Sequence, residues 1–208
     1  MSSRVRILGI AGSLRRGSYN QAALRAAKLL APENSEIDLF PLDGIPIFNA
    51  DDERRPPSSV LELKKRIRRS DALLIVTPEY NYSIPGVLKN ALDWACRPYG
   101  DSAWSGKAGA IMGASPSAIG TARAQSHLRQ ILVALNLFTL NQPEVVIADA
   151  AHRFDENGNL IHEPTKQLIQ ELLKNLVDWT RRISPVPEST SASSIATARH
   201  PLSRSAPA

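Results

Sequence analysis

The chain has 208 residues and one cysteine, Cys96, so it fits a single domain with no need of a disulfide or a multi-cysteine zinc site, and its lone thiol suits a reducing compartment, with the cytoplasm expected. Its net charge of +5 comes from 25 basic against 20 acidic residues, and no aromatic residues interleave with the basic ones, which argues against nucleic acid as a partner. The apolar stretch Val5 to Ala11 is too short to cross a bilayer and runs into Gly12-Ser13 and Arg15-Arg16 without a cleavage pattern, so no membrane association or secretion is expected.

Val5 to Ile10, apolar and β-branched, reads as the first strand, ending in a loop from Gly9 to Asn20. Ala22, Ala23, Ala26, Ala27, Leu29 and Leu30 then give a helix whose small-residue face can lie close to a sheet, and Pro32 stops it. Ile37, Leu39 and Leu42 alternate as a second strand. Asp43 to Pro57 is a polar, proline-rich connection too long for a simple turn and is expected to be mobile. Val60, Leu63 and Ile67 mark a second helix, with Lys64, Lys65, Arg66, Arg68 and Arg69 assigned to its outer face.

Leu73 to Val76 is a run of four apolar residues, the pattern of a strand covered on both faces of a parallel sheet. The loop Pro78 to Gly86 follows, and Val87, Leu88, Ala91, Leu92 and Ala95 recur at helical spacing with Pro85 in the first turn. Ala108 to Met112 is a fourth strand, opening into Gly113 to Gly120. Leu128, Ile131, Leu132 and Leu135 mark a fourth helix, a last strand spans Phe138 to Ile147 with an interruption at Pro143, and Leu168, Ile169, Leu172, Leu173, Leu176 and Val177 form the stripe of a closing helix. From Ser184 onward the Ser, Ala and Pro content predicts a disordered tail, leaving residues 1–183 as one domain.

This alternation argues an α/β fold with a doubly wound, five-stranded parallel sheet. The order 2-1-3-4-5 brings the loops after strands 1, 3 and 4 together at the switch point, where such sheets bind ligands.

The first loop ends at a helix amino terminus, where free N–H groups and the dipole favour an anion. Ser13, Ser18 and Asn20 add neutral hydrogen-bonding groups and Arg15 a charged fork. Gly12 and Gly17 have P-loop spacing, yet Ser18-Tyr19 stands where Lys and Ser/Thr are required. The dinucleotide pattern G-x-G-x-x-G is absent, and Phe40-Pro41 follows the second strand in place of a ribose-binding acid. Taken alone, the loop also reads as a plain helix-capping turn with an exposed arginine.

Gly12-Ser13-Leu14-Arg15 with Ser18 and Asn20, combined with Pro78-Glu79-Tyr80-Asn81, Ser83-Ile84-Pro85-Gly86, Lys89-Asn90-Ala91 and Asp93-Trp94, resembles the NADPH-dependent FMN reductase family. The resemblance covers about Val5 to Ile183. It implies a flavodoxin-like three-layer sandwich, FMN as cofactor and NADPH or NADH as co-substrate, and a quinone, azo dye, chromate or free flavin as the small-molecule electron acceptor. By the same resemblance Ser13, Arg15, Ser18, Tyr19 and Asn20 hold the FMN phosphate, Pro78, Glu79, Tyr80 and Asn81 wrap the isoalloxazine edge, and Gly113, Ala114 and Ser115, with the loop on to Ser117, close the other side. It further implies a homodimer or homotetramer, with hydride passing from NAD(P)H to flavin N5 and on to the acceptor in a ping-pong cycle.

No side-chain acid, base or nucleophile stands out. His127, His152, His162 and His200 lack metal-ligand spacing, and Cys96 follows an apolar helix face. Glu79 can act through side chain or backbone, and Tyr80 and Tyr82 are either slot walls or partner contacts. The Lys64 to Arg69 run is a solvated face or an aid to the 2′-phosphate of NADPH. One departure touches assembly: Ser126 stands between Gln125 and His127 where the family often has an aromatic residue, which bears on a tetramer and leaves flavin binding untouched. The readings set against a reductase are a one-electron carrier, which needs an acidic surface this basic chain lacks, an FMN-binding redox sensor without turnover, and an NAD-dependent dehydrogenase, which the first loop disfavours.

Overall fold

The computed structural model describes residues 4–184, so the predicted tail beyond Ser184 lies outside the described residues. Strands β1 (Val5–Ala11), β2 (Ser35–Phe40), β3 (Ala72–Val76), β4 (Ala108–Ala114), β5 (Phe138–Thr139) and β6 (Val145–Ile147) alternate with helices α1 (Tyr19–Leu29), α2 (Ser58–Arg69), α3 (Gly86–Ala95), α4 (Ala122–Ala134) and α5 (Glu163–Ile183). All pairings are parallel, in the order β2-β1-β3-β4-β5, with β6 also on β4.

The expected fifth strand is thus two short pieces sharing one position. β5 pairs at Ala108 and Gly109, and β6 at Met112, Gly113 and Ala114. Pro143 between them has no N–H to give the ladder.

Period-two alternation divides the strands between two cores. Ile7, Leu74 and Val76 face α1 and α5, whereas Leu8, Ile10, Leu73 and Ile75 face α2, α3 and α4. The alanine stripe of α1 lets that helix lie close, and Gly9 is the matching concession from the sheet: a Cβ there would meet Leu24 Cδ1 at 2.6 Å. The central strands, with both faces covered, put their carboxyl ends and the three loops beyond them on one rim.

Two expectations change. Lys64 is not on the solvated face of α2: its side chain is 4% exposed and Nζ donates to the Arg97 carbonyl and, at 2.6 Å, to Asp101. Position 64 falls on the same stripe as Val60 and Ile67, so helical geometry carries it inward and the ammonium reaches out to polar partners. The connection expected to be mobile is fastened to α3. The Pro46 carbonyl accepts from Asn90 Nδ2 and Trp94 Nε1, both at 2.8 Å, the Phe48 N–H donates to Asn90 Oδ1 at 2.7 Å, and the Phe48 ring meets Trp94 edge-on at 5.0 Å.

Candidate functional site

Loop one begins where Gly12 leaves β1, its N–H still bonded to the Val76 carbonyl at 2.8 Å. A Cβ on Gly12 would touch Leu88 and come within 3.4 Å of Pro78 Cδ, so the first loop starts directly against the second. The loop is braced from within: the Arg15 N–H donates to Ser13 Oγ, Gln21 Nε2 donates to the Ser13 carbonyl at 2.9 Å, and the Ser18 N–H donates to the Arg15 carbonyl. Ser18 is the N-cap of α1, accepting from the N–H groups of Asn20 and Gln21. Ser13 and Ser18 are buried, and Arg15 lies exposed over Gly17. Among the described residues, the N–H groups of Arg16, Gly17 and Tyr19 find no acceptor, so several donors at a positive helix end converge beside a free guanidinium.

Loop two closes on itself. Tyr80 and Ser83 exchange both backbone hydrogen bonds, at 2.9 and 3.0 Å, and Asn81 and Tyr82 between them both have positive φ, 49° and 66°. This is a two-residue turn of the primed kind, in which a tyrosine occupies a backbone region that favours glycine. Among the described residues, the N–H groups of Asn81 and Tyr82 are unpaired. Pro78 is buried, whereas Tyr80 and Tyr82 are 51% and 66% exposed.

The Glu79 side chain is engaged by α4, Oε2 accepting from the Ala124 N–H at 3.0 Å and Oε1 lying 3.7 Å from Arg123. Arg123 covers the Tyr82 ring at 4.1 Å, and Ser83 Oγ meets His127 Nδ1 at 2.7 Å.

Loop three follows β4. Gly113 sits where a Cβ would come within 2.3 Å of both the Thr77 carbonyl and Thr121 Oγ1, so only glycine lets β4 pass this close to the end of β3. Ser115 donates its N–H to the Ile147 carbonyl, and the Ser117 hydroxyl bonds Ser115 and the Gly120 carbonyl. Asn20 ties loops one and three together: its Nδ2 donates to the Ala114 carbonyl and its Oδ1 accepts from the Ala114 N–H, both at 2.8 Å. With both amide atoms occupied, the Asn20 side chain is a brace between elements. Tyr19 packs its ring on Phe154 at 5.7 Å, which brings the segment after β6 to the same rim.

The predicted site residues therefore gather on one rim. Sequence reasoning missed Gln21, which braces the first loop at the Ser13 carbonyl, Thr121, which lies against Gly113, and Arg123, which reaches Glu79 and Tyr82 from a distant part of the chain. Cys96, at the end of α3, has its thiol pushed up by burial and donates to the Asp93 carbonyl at 3.1 Å. It takes no part in this rim.

The sequence profile described as NADPH-dependent FMN reductase matches residues 5–152. The chain belongs to the NADPH-dependent FMN reductase family. It is similar to the NAD(P)H-dependent FMN reductase PA1204 of Pseudomonas aeruginosa, 50% identical over 88% of this chain and 99% of that one. A 2-hydroxy-1,4-benzoquinone reductase of a Burkholderia species is 45% identical over 85% of this chain and 97% of its own length. Among solved structures, the flavoenzyme NAD(P)H:(acceptor) oxidoreductase FerB of Paracoccus denitrificans superposes with a TM-score of 0.79 at 38% identity, covering 86% of this chain and 98% of FerB. The protein is an oxidoreductase with FMN as cofactor and NAD(P)H as co-substrate, on a flavodoxin-like fold.

The donor set fits FMN. A phosphate monoester needs many N–H and hydroxyl donors and tolerates one cation, which is the composition of loop one. The rim of an oxidised isoalloxazine offers O2, O4 and N5 to backbone donors and its N3–H to an acceptor, and the unpaired N–H groups of loop two suit the acceptors of that edge. FMN-reductase chemistry resides on the flavin.

Proposed function

We propose that this chain is an NAD(P)H-dependent quinone reductase in which Ser13, Arg15, Ser18 and the start of α1 at Tyr19 and Asn20 hold the FMN phosphate. In this reading Pro78, Glu79, Tyr80 and Asn81 line the isoalloxazine rim, and Gly113, Ala114 and Ser115 close the other side. Arg15 supplies charge, Ser13 and Ser18 supply hydroxyls, and Asn20 and Glu79 act mainly by fixing the loops on which the other groups stand. The observation that carries this reading is the Asn20 to Ala114 double hydrogen bond, which joins the phosphate end of the rim to the ring end.

FMN, when bound, supplies hydride-accepting chemistry and passes electrons to the second substrate. Tyr80 and Tyr82 stand exposed at the rim, and in this reading nicotinamide and acceptor occupy the space beside them in turn. That arrangement predicts ping-pong kinetics. Quinones are the favoured acceptors because the similar Burkholderia protein is named for a benzoquinone. Azo dyes, chromate and free flavin are further candidates.

We also propose that residues up to 183 act as one domain, in the cytoplasm, as a homodimer or homotetramer. Exposed Leu14, Ile47, Tyr82, Tyr99 and Val133 supply apolar surface for a second copy. Among the described residues no helix is long and apolar enough to cross a membrane.

The test is to purify the protein, look for flavin colour, bleach it with NADPH under anaerobic conditions and restore it with a benzoquinone. Initial rates at several quinone concentrations should give parallel double-reciprocal lines. A colourless protein that takes up no added FMN overturns the reading.

A further inference from the structure

The turn at Asn81-Tyr82 carries backbone strain beside the proposed ring site, since a bulky residue is disfavoured at φ 66°. Such a conformation persists only where its surroundings impose it. Its surroundings here come from the first turns of one helix, α4: Ala124 binds Glu79 on the entering side of the turn, Arg123 covers Tyr82 at its tip, and His127 bonds Ser83 on the leaving side. Arg123 and His127 are one turn apart and share a face of α4.

We propose that His127 is a positioning residue for the flavin rim: through the 2.7 Å contact between its Nδ1 and Ser83 Oγ it fixes the strained turn so that the N–H groups of Asn81 and Tyr82 stay aimed at the ring edge. The proposal rests on the assignment of FMN to this rim. The pairing works with either ring tautomer because a hydroxyl both donates and accepts. His127 stays exposed on the outer side, so its contribution is directional and not a matter of core packing. The hydride balance of the reaction is unaffected, since His127 takes and gives no proton in it.

The test uses the full chain with and without FMN. In the FMN-free protein, His127→Ala should speed exchange of the Tyr80 and Ser83 amide hydrogens about fivefold or more, the loss of one ordinary hydrogen bond, and leave the amides of β3 and β4 unchanged. His127→Asn, whose side-chain amide reaches the place of Nδ1, should restore protection, and His127→Gln should not. Ser83→Ala should give the same acceleration, with no further effect in the double variant. In the FMN-loaded protein the alanine variants should shift the flavin absorption band and midpoint potential, and alter turnover more than NADPH KM.

Unchanged exchange in His127→Ala overturns the proposal. So does faster exchange with an unaltered flavin spectrum and potential, because the turn would then be held without serving the ring. Failure of the wild-type chain to bind FMN overturns the underlying assignment and the proposal with it, and wild-type titration separates that result from the other two.

Discussion

The Glu79 carboxylate accepts a hydrogen bond from the Ala124 N–H at 3.0 Å, across 45 residues of chain. Helix α4 has no cap of its own: the Thr121 hydroxyl accepts from Gln125 Nε2 and makes no capping bond. The carboxylate therefore supplies the missing acceptor and sits at the positive end of the helix dipole. Glu79→Ala should lower stability by about 1–2 kcal/mol, the range for a lost N-cap, read as a shift in the urea midpoint of the FMN-free protein. Glu79→Gln keeps an acceptor and should lose less. Equal losses would mean that charge, and not the hydrogen bond, carries the contact.

Asn20 offers a sharper test because its amide needs both of its halves. Asn20→Asp keeps the acceptor for the Ala114 N–H but turns a second oxygen toward the Ala114 carbonyl, and the site is buried. Asn20→Ala leaves two backbone groups without partners, at about 1–3 kcal/mol each. We expect Asp to be at least as destabilising as Ala despite its similar shape. Both should weaken FMN retention, since loops one and three would no longer move as one. Thermal melts of the two variants, with and without FMN, decide this.

The fold was legible because the central strands are continuous apolar runs and the helices carry clear stripes, so Leu73 to Val76 and Leu168 to Val177 announce their elements directly. The site was legible in part, since Ser13, Arg15 and Ser18 form a local pattern near a helix start. The remainder depends on partners that no spacing displays: Glu79 at α4, Asn20 on Ala114, and Lys64 turned inward to Asp101. The Asp43 to Pro57 segment looked mobile because its own residues are polar. Its anchors, Asn90 and Trp94, lie on α3 and become visible only once the chain is folded.

Two glycines of β4 should respond differently to the same change. A Cβ at Gly113 would press within 2.3 Å of a backbone carbonyl, Thr77, and of Thr121 Oγ1, and neither the strand end nor the helix start can yield cheaply. A Cβ at Gly109 would meet Leu137 Cδ2 at 2.2 Å, the far end of a side chain that can change rotamer. Gly113→Ala should cost about 3 kcal/mol or more and abolish flavin retention, whereas Gly109→Ala should cost about 1–3 kcal/mol, the usual range for overpacking, and keep the flavin. Soluble yield, urea midpoints and the absorbance ratio of flavin to protein check both.

Arg15 is exposed and lies against Gly17 in the first loop, so its removal should leave the fold intact. Arg15→Ala should weaken FMN binding by about 1.5–3 kcal/mol, the scale of a charge-assisted hydrogen bond, with an unchanged urea midpoint in the FMN-free protein. Riboflavin, which lacks the phosphate, should bind wild type and variant alike. Calorimetric titration with both ligands separates a phosphate contact from a general loosening, and an unchanged FMN affinity would remove Arg15 from the phosphate site.

Acid stability should depend on Asp71, at the opposite end of the sheet. Burial pushes its carboxyl up, but hydrogen bonds from the Arg6 side chain and N–H, the latter at 2.8 Å, outweigh that and hold it below the usual carboxylate range. A carboxyl whose folded pKa is depressed adds stability that is fully present above its unfolded pKa of about 3.9 and is lost as pH falls through the lower folded value. The difference in urea midpoint between wild type and Asp71→Asn should therefore be constant from pH 7 to about 5, then shrink toward zero below about pH 4. Arg6 is largely exposed, so 0.5 M salt should reduce the neutral-pH difference. A difference that grows on acidification would reverse the sign and show that the carboxyl is held in its protonated form.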